Sequence, residues 1–246
     1  MERDVYRRLS EIEDTHWWFA ARRSILGALL DRLAGSRRDL RILEAGCGTG
    51  GNLKMLERYG RVSAFEPDAE ARAIAEGKSG LSVSAGTLPE GIPFARDAFD
   101  IVVALDVMEH VEKDQAGLAA LAKELAPGGR LIITVPAHGW MWSRHDEVHH
   151  HFRRYSYDEL KTKLEKAGLR PVTVTYFNTI LFPLVAMVRL ASKALGRQGA
   201  GDDRLPSPML NRILKALFSS EGRLIGRVRL PVGVSLLAVA ERPQVS

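Results

Sequence analysis

Short apolar runs alternate with amphipathic stretches through the middle of the chain, and that alternation predicts most of its elements. Strands are expected at 41–45, 62–65, 81–85, 100–105 and 130–135, with helices at 52–59, 69–76 and 111–125 between them. Near-continuous apolar strands separated by helices indicate a parallel sheet covered on both faces. Further on, a helix is expected over 157–167, stopped by Gly168, then strands at 172–177 and 234–240. Between those two strands the pattern is helical, broken by a Gly/Pro-rich linker at 196–208. Upstream, residues 1–38 read as helical, with Gly35 and Ser36 ending the last periodic run. The expectation is an α/β fold built on a mostly parallel, seven-stranded sheet, with a helical N-terminal segment and a helical insertion before the last strand.

Composition changes this picture little. A chain of 246 residues holds one α/β domain with an insertion, or two small domains. At that size folding buries roughly 70–75% of the unfolded surface, so no cross-links are needed. Cys47 is the single cysteine, which excludes an intramolecular disulfide and a CxxC zinc pair and fits a reducing cytoplasm. The N-terminus lacks a signal peptide's basic start and apolar core. The longest apolar stretch, 179–188, is interrupted by Pro183 and falls short of the ~20 residues a spanning helix needs. The formal charge of +5 is modest, but most of the basic excess lies from Arg189 onward.

Candidate chemistry begins after the first expected strand, where Gly46, Gly48 and Gly50 lead into a helix. Glycine permits a tight turn and close approach of a ligand near a helix N-terminus. With Gly51 the same residues satisfy G-x-G-x-x-G, the dinucleotide fingerprint, and Glu66 at the end of the second strand suits ribose hydroxyls. The loop by itself fits a nicotinamide enzyme, a methyltransferase or a ligand-free turn. Glu44, two residues ahead of Gly46, favours a cationic amino-acid ligand over a pyrophosphate.

Three segments in order carry the distinction: Glu44-Ala45-Gly46-Cys47-Gly48-Thr49-Gly50, the run from Phe99 through Asp106 to Val111, and Pro127-Gly128-Gly129. At these residues the chain resembles the class I S-adenosylmethionine-dependent methyltransferases, especially the ubiquinone-biosynthesis branch, over roughly residues 41–169. The resemblance implies a Rossmann-like sheet whose last strand is antiparallel. It implies that Glu44, Gly46, Gly48 and Gly50 cradle the methionine part and that Glu66 holds the ribose. Gly86, Thr87 and Leu88 would lie along the adenine, and Leu105 and Asp106 would border the sulfonium. Thr87 stands where many relatives have an acid, so its hydroxyl would have to accept the adenine amino group. An arginine ahead of the first strand would meet the cofactor carboxylate, with Arg22 or Arg23 as candidates. The implied organisation is an N-terminal lid (1–38), a cofactor-binding core (39–178), an insertion (179–230), and a last strand with tail (231–246).

Three further clusters have both a structural and a functional reading. His16-Trp17-Trp18-Phe19 either anchors the first helix on the sheet or forms a lid over the cofactor. The loop from Pro136 to Tyr155 emerges at the carboxyl ends of the strands, where ligands bind in open α/β sheets. His145 and His151 are candidate bases for an acceptor hydroxyl, with Asp146 orienting an imidazole. A metal held by Asp146, His149 and His151 is the sharper alternative, and helix capping the plainer one. Arg153, Arg154 and Tyr155 would structure the loop or bind an anionic substrate.

The insertion pairs an apolar segment, 178–190, with a basic amphipathic one, 209–218. It is either a substrate cap or an interfacial patch whose Arg189, Lys193, Arg197, Arg204, Arg212, Lys215, Arg223, Arg227 and Arg229 face anionic lipid. No nucleic-acid-binding module is visible, so that partner ranks lower. The expected activity is methylation of a small acceptor, lipophilic ones included, with O-methylation ahead of N or C. A nicotinamide oxidoreductase and a non-catalytic cofactor-binding assembly protein are the rivals.

Overall fold

Seven strands form one sheet in the order β3-β2-β1-β4-β5-β7-β6. The computed structural model describes residue 7, residues 10–194 except where side chains at 194 are concerned, and residues 205–244. The strands are β1 (Leu40–Ala45), β2 (Gly60–Glu66), β3 (Val83–Ala85), β4 (Phe99–Leu105), β5 (Leu125–Pro136), β6 (Arg170–Phe177) and β7 (Ser235–Glu241). The pairs among β1 to β5 are parallel, whereas β7 runs antiparallel to both β5 and β6. The order reverses between β1 and β4, which opens a crevice at the carboxyl ends of the strands.

Eight helices can be followed among the described residues. They are α1 (Trp17–Ala34), the short α2 (Leu53–Leu56), α3 (Ala69–Ser79), α4 (Asp114–Glu124), the short α5 (Arg144–Val148), α6 (Tyr157–Lys166), α7 (Phe182–Ala194) and α8 (Pro208–Ser220). Local chemistry sets their ends. The Asp68 carboxylate accepts the N–H groups of Glu70 and Ala71 to start α3, and left-handed Gly80 closes it. Ser156 caps α6 through the Glu159 N–H, and Gly168, at φ +79°, follows its end.

Two apolar layers sandwich the sheet. On one face Leu118, Leu121, Leu160 and Leu164 of α4 and α6 pack on β4, β5 and β7. On the other, Ile25, Leu26, Leu29 and Leu30 of α1 meet Phe177, Phe218 and Ile132. The N-terminal helix is therefore one wall of the core. Helix α1 begins at Trp17 with His16 as its cap; residues 10–12 ahead of it are also helical, so the helical expectation for 1–38 is interrupted by a turn over 13–16. Residues 1–6, 8 and 9 lie outside the described residues, as does the linker stretch 195–204 with Arg197 and Arg204.

Most boundaries shift by one to five residues from the pattern-based expectation, and two of the differences have a visible local cause. The helix expected over 52–59 is a four-residue α2 continued by a tighter 3-10 turn, Glu57–Tyr59. The Pro127-Gly128-Gly129 segment lies inside β5, at an irregularity where the β4–β5 register shifts between Phe99 and Ile101. The Gly128 N–H is satisfied by the Arg242 carbonyl, a partner far along the chain.

Candidate functional site

A cavity of about 840 Å³ opens at the carboxyl ends of the strands, on the side where the sheet order reverses. Its wall is assembled from distant segments: Gly46–Thr49 after β1, Glu66 and Pro67 at β2, Leu105–Val107 after β4, Pro136 on β5 and Asn178 after β6. Asp106, His138 and Asn178, each just beyond a strand, hold φ between +56° and +60°. Such left-handed positions in non-glycine residues cost energy and cluster where a site imposes them.

The glycines divide into two kinds. Gly48 has φ +55°, and a Cβ there would meet nothing within 4 Å, so the backbone lies open to the cavity. Gly46, at φ +65°, also lines the cavity but packs tightly on Val107. Gly50 sits away from the cavity wall, where a Cβ would stand 2.9 Å from the Ala75 Cα; its smallness lets the loop rest on α3. Gly86 likewise answers a packing need, since a Cβ would press on Pro93, the Gly91 carbonyl and Phe65.

Two acids support the loop from different depths. The Glu66 carboxylate accepts the Gly48 N–H at 3.0 Å and the Asp68 N–H at 3.2 Å. Glu44 lies beneath the cavity wall, wholly buried, with Oε1 accepting from Asn52 Nδ2 at 2.8 Å. Its Oε2 has no hydrogen-bond partner among the described residues. Burial, opposed by the Asn52 bond and by Arg22, pushes the Glu44 pKa up to about 7. Asn52 and Glu13 carry no signal in the sequence, and Thr49 stands in the loop motif without a role of its own. Glu13 reaches in to accept from Thr49 Oγ1 and Lys78, and only folding of the N-terminal segment over the loop brings it there.

Of the two arginine candidates, both line the cavity but only Arg22 presents its guanidinium to a charged group there. It is ion-paired with Asp106 and lies over the Trp18 ring, 4.6 Å from the centroid. Arg23 is turned back on its own segment, donating to the Glu13 and Asp14 carbonyls. Asp106 is also held by Thr134, whose hydroxyl donates at 3.1 Å. Thr87 and Leu88 line the cavity, and the Thr87 hydroxyl proton goes to the Glu90 carbonyl, leaving its oxygen as an acceptor.

Opposite the glycine loop stands a group of imidazoles. His145, His149 and His151 line the cavity, with His145 and His149 ring centroids 4.2 Å apart and His110 4.6 Å from His151. Asp146 is fully buried and does not reach the cavity. It accepts from His151 Nδ1 at 3.0 Å, from Arg154 at 2.8 and 3.0 Å, and from the Ser143 N–H at 2.8 Å. Burial alone would raise its pKa, yet these donors hold the carboxyl well below the usual range. An ionised Asp146 fixes the His151 proton on Nδ1 and leaves Nε2 as an acceptor.

That arrangement alters the metal reading. With His151, Arg154 and Ser143 on its two oxygens, Asp146 is committed to its donors and does not join His149 and His151 as a ligand set. Among the described residues, the ligand-capable atoms that converge, all within 4.8 Å of one another, belong to Glu109, His110 and His151. Burial and the nearby Asp106 raise the Glu109 pKa well above its ordinary value, and burial lowers that of His110 to about 3. Glu109 and His110 stood in the motif after β4 without an assigned role; nothing in their spacing says that His151, some forty positions on, returns to meet them.

Tyr155 braces the loop from the core, whereas Arg154, bound to Asp146 and the Ala137 carbonyl, also lines the cavity. The Tyr155 hydroxyl, fully buried, donates to Asp114 at 2.9 Å, and burial pushes its pKa far up. Arg153 pairs with the same Asp114.

The cavity fits S-adenosylmethionine on its own features. An open glycine backbone, a carboxylate at the end of β2 and the Arg22 guanidinium match a ligand with a ribose and an amino-acid end. Glu44, expected to cradle the methionine part, instead lies beneath the wall and does not line the cavity. Known proteins agree. Residues 18–174 match the family model described as a methyltransferase domain. The ubiquinone biosynthesis O-methyltransferase of Dinoroseobacter shibae is 32% identical over 154 residues, 55% of this chain and 62% of that protein. The same enzyme of Parvibaculum lavamentivorans is 28% identical, over 54% of this chain and 59% of its own length. The chain thus matches about three fifths of the length of these curated relatives.

Among solved structures, a chain from the complex between the Haloferax volcanii Trm112 methyltransferase activator and a methyltransferase has a TM-score of 0.66 at 19% identity. The match covers 99% of this chain and 96% of that one. Phosphoethanolamine N-methyltransferase 2 of Haemonchus contortus, in complex with S-adenosyl-L-methionine, has a TM-score of 0.59 at 16% identity, covering 88% and 52%. At such identities these structures speak for the fold, which they share with this sheet. S-adenosylmethionine is the cofactor of this Rossmann-like domain. With the family model spanning most of the core and the sheet order to go with it, the chain belongs to the methyltransferase-domain family.

Proposed function

We propose that this protein methylates a hydroxyl or phenol oxygen of a small, lipophilic acceptor, working in the cytoplasm in peripheral contact with an anionic membrane. The observation that carries the reading is the juxtaposition, across one cavity, of the glycine loop and an imidazole, His151, held by a buried carboxylate. The relatives' names favour oxygen as the acceptor atom. The apolar wall made by Trp17, Trp18, Phe19 and Val185 favours a lipophilic molecule.

When bound, S-adenosylmethionine supplies a methyl group on a sulfonium, which an oxygen nucleophile takes while a neutral thioether leaves. The chain's own residues do the rest. Arg22 stands for the carboxylate end, Glu66 for the ribose hydroxyls, and Thr87 and Leu88 for the adenine. Glu44 supports the loop from below. His151 Nε2 takes the acceptor's proton, Asp146 positions that ring, and His145 stands beside it as a second candidate base. Positioning of the two reactants in one cavity supplies much of the rate.

Calorimetric titration with S-adenosylhomocysteine and with NAD tests the cofactor. Binding of the first and not the second is expected; a folded protein that ignores S-adenosylhomocysteine would sink the reading. Labelled methyl transfer into a lipid extract, followed by mass spectrometry, tests the acceptor, and label on nitrogen or carbon would overturn the choice of oxygen.

A further inference from the structure

Helix α7 is amphipathic the wrong way round for a water-facing surface. Its inner side carries Phe182, Val185, Arg189 and Ser192, all partly buried, and Val185 and Arg189 line the cavity. Arg189, the first charge on the helix, is turned inward to donate to the Ser143 hydroxyl. Its outer side carries Leu184, Met187, Val188 and Leu190, exposed by 50% to 61%. A helix lying against a soluble core ordinarily shows its polar stripe to solvent.

Helix α8 repeats the anomaly in another form. Asn211, Leu214 and Phe218 face the core: Asn211 accepts the Trp17 N–H at 2.8 Å, and Phe218 packs on Trp17 and Phe177. A second apolar stripe, Leu210, Ile213 and Leu217, spaced by three and four residues, remains exposed, joined by Met209 at 75%. Next to α7, Trp140 is 45% exposed and meets Phe182 edge-on at 6.3 Å, with Trp142 exposed nearby in sequence. Exposed apolar surface on this scale marks an interaction face.

Among the described residues of 179–229 the exposed charges are all basic, while Glu147 is exposed on α5 beyond the Trp140–Trp142 turn. Lys193, Arg212, Lys215, Arg223, Arg227 and Arg229 are exposed across the described part of residues 179–229. The acid there, Glu221, is buried, with Oε1 accepting the Thr179 and Ile180 N–H groups. Such a face meets a second copy of itself as like charge against like charge, which opposes self-association. An exposed apolar surface on a basic segment, with Trp nearby, is complementary to an anionic lipid interface, although Arg229 is engaged over the Tyr157 ring. No helix among the described residues is long and apolar enough to cross a membrane.

We propose that α7, α8 and the Trp140–Trp142 turn form the face by which this protein docks on an anionic lipid bilayer, seated in the boundary between headgroups and acyl chains. Val185 and Arg189 on the inner side of α7 place the cavity directly behind that face, so a lipophilic acceptor passes from bilayer to site along α7. The docking face deepens the membrane contact of the proposed function and rests on it only for that last step, because vesicle binding requires no turnover.

The test is flotation of the full 246-residue chain with vesicles of phosphatidylcholine alone and of phosphatidylcholine mixed with phosphatidylglycerol. Partition onto the anionic vesicles is expected to exceed that onto the neutral ones by about tenfold or more and to weaken with salt. The double variants Met187→Glu with Val188→Glu, and Ile213→Glu with Leu217→Glu, are each expected to lower it by about tenfold. Melting curves and S-adenosylhomocysteine titration should match the parent, showing that both variants are folded. The proposal is overturned if the parent stays off anionic vesicles, if both variants float as it does, or if light scattering shows a dimer that the variants split. Failure of S-adenosylhomocysteine to bind would instead remove the methyltransferase reading and leave the flotation result standing.

Discussion

At the scale of single residues, Glu44 is the clearest case of an environment deciding a role. Its position ahead of Gly46 marked it as the acid for a cationic ligand, but its burial and its single bond to Asn52 follow only from the turn of α2 over β1. The sign of its pH effect can be worked out. A folded pKa of about 7 lies above the ordinary value of 4.5, so the folded protein holds the proton more tightly than the unfolded chain. The stability this confers is complete below the unfolded value and is lost as the pH rises through the folded one. Glu44→Gln keeps an oxygen for Asn52 and removes the charge. The ligand-free variant should therefore gain on the parent as the pH rises, by about 3 kcal/mol at about pH 8. Melts at about pH 5 and about pH 8 read this difference, and a gap that stays constant would refute it. Its affinity for S-adenosylhomocysteine, which carries the same amino-acid end, should fall.

His151 and Asp146 make a second residue-scale prediction. His151→Ala should cost roughly 10²–10⁴-fold in turnover, the span of a lost general base, with cofactor affinity kept. Asp146→Asn should act through the ring it orients, lowering kcat and moving the acidic limb of the pH–rate profile. An unchanged profile would make Asp146 a strut for Arg154 alone. Full activity in both His151→Ala and His145→Ala would remove the base assignment.

At the scale of elements, α8 shows how one helix serves two surfaces. Phe218 is fully buried between Trp17 and Phe177, whereas Leu217, its neighbour, is 40% exposed. Phe218→Ala should destabilise the protein by about 3–5 kcal/mol, as a large ring removed from a packed core does. Leu217→Ala should stay within about 0.5 kcal/mol. Denaturant midpoints for the two variants check the contrast, and equal losses would mean that the outer stripe is covered in solution. The periodicity showed an amphipathic segment here, yet not which of its two apolar stripes meets α1. Both satisfy helical spacing, and the Asn211 bonds to Trp17 and Thr15 together with the packing of Phe218 orient the helix.

At the scale of the whole molecule, the cavity is closed by segments from both ends of the chain: Glu13 to Arg23 on one side, Val234 and Ser235 on the other. A ligand bound there ties those segments to the sheet and should raise the melting temperature of the entire unit. At a hundredfold excess over Kd the linkage is about 2.7 kcal/mol, roughly 5–10 °C for a chain of this size. A thermal shift with S-adenosylhomocysteine and none with NAD is the expected result. A shift with NAD alone would return the glycine loop to the dinucleotide reading.

The sequence by itself determined the alternation of strand and helix from residue 41 to 135, because buried parallel strands and their covering helices leave distinct periods that need no tertiary information. It also marked the cofactor loop through Gly46, Gly48 and Glu66, since a strand, a glycine turn and an acid at the end of the next strand are local features. Tertiary structure alone decided that Arg22 rather than Arg23 turns to Asp106, and that Gly50 serves packing on α3. It alone gathered Glu109 and His110 with His151, and turned the apolar side of α7 outward. Those outcomes depend on which of several chemically equivalent side chains faces a partner remote in sequence. No local period carries that information; the packing of the elements supplies it.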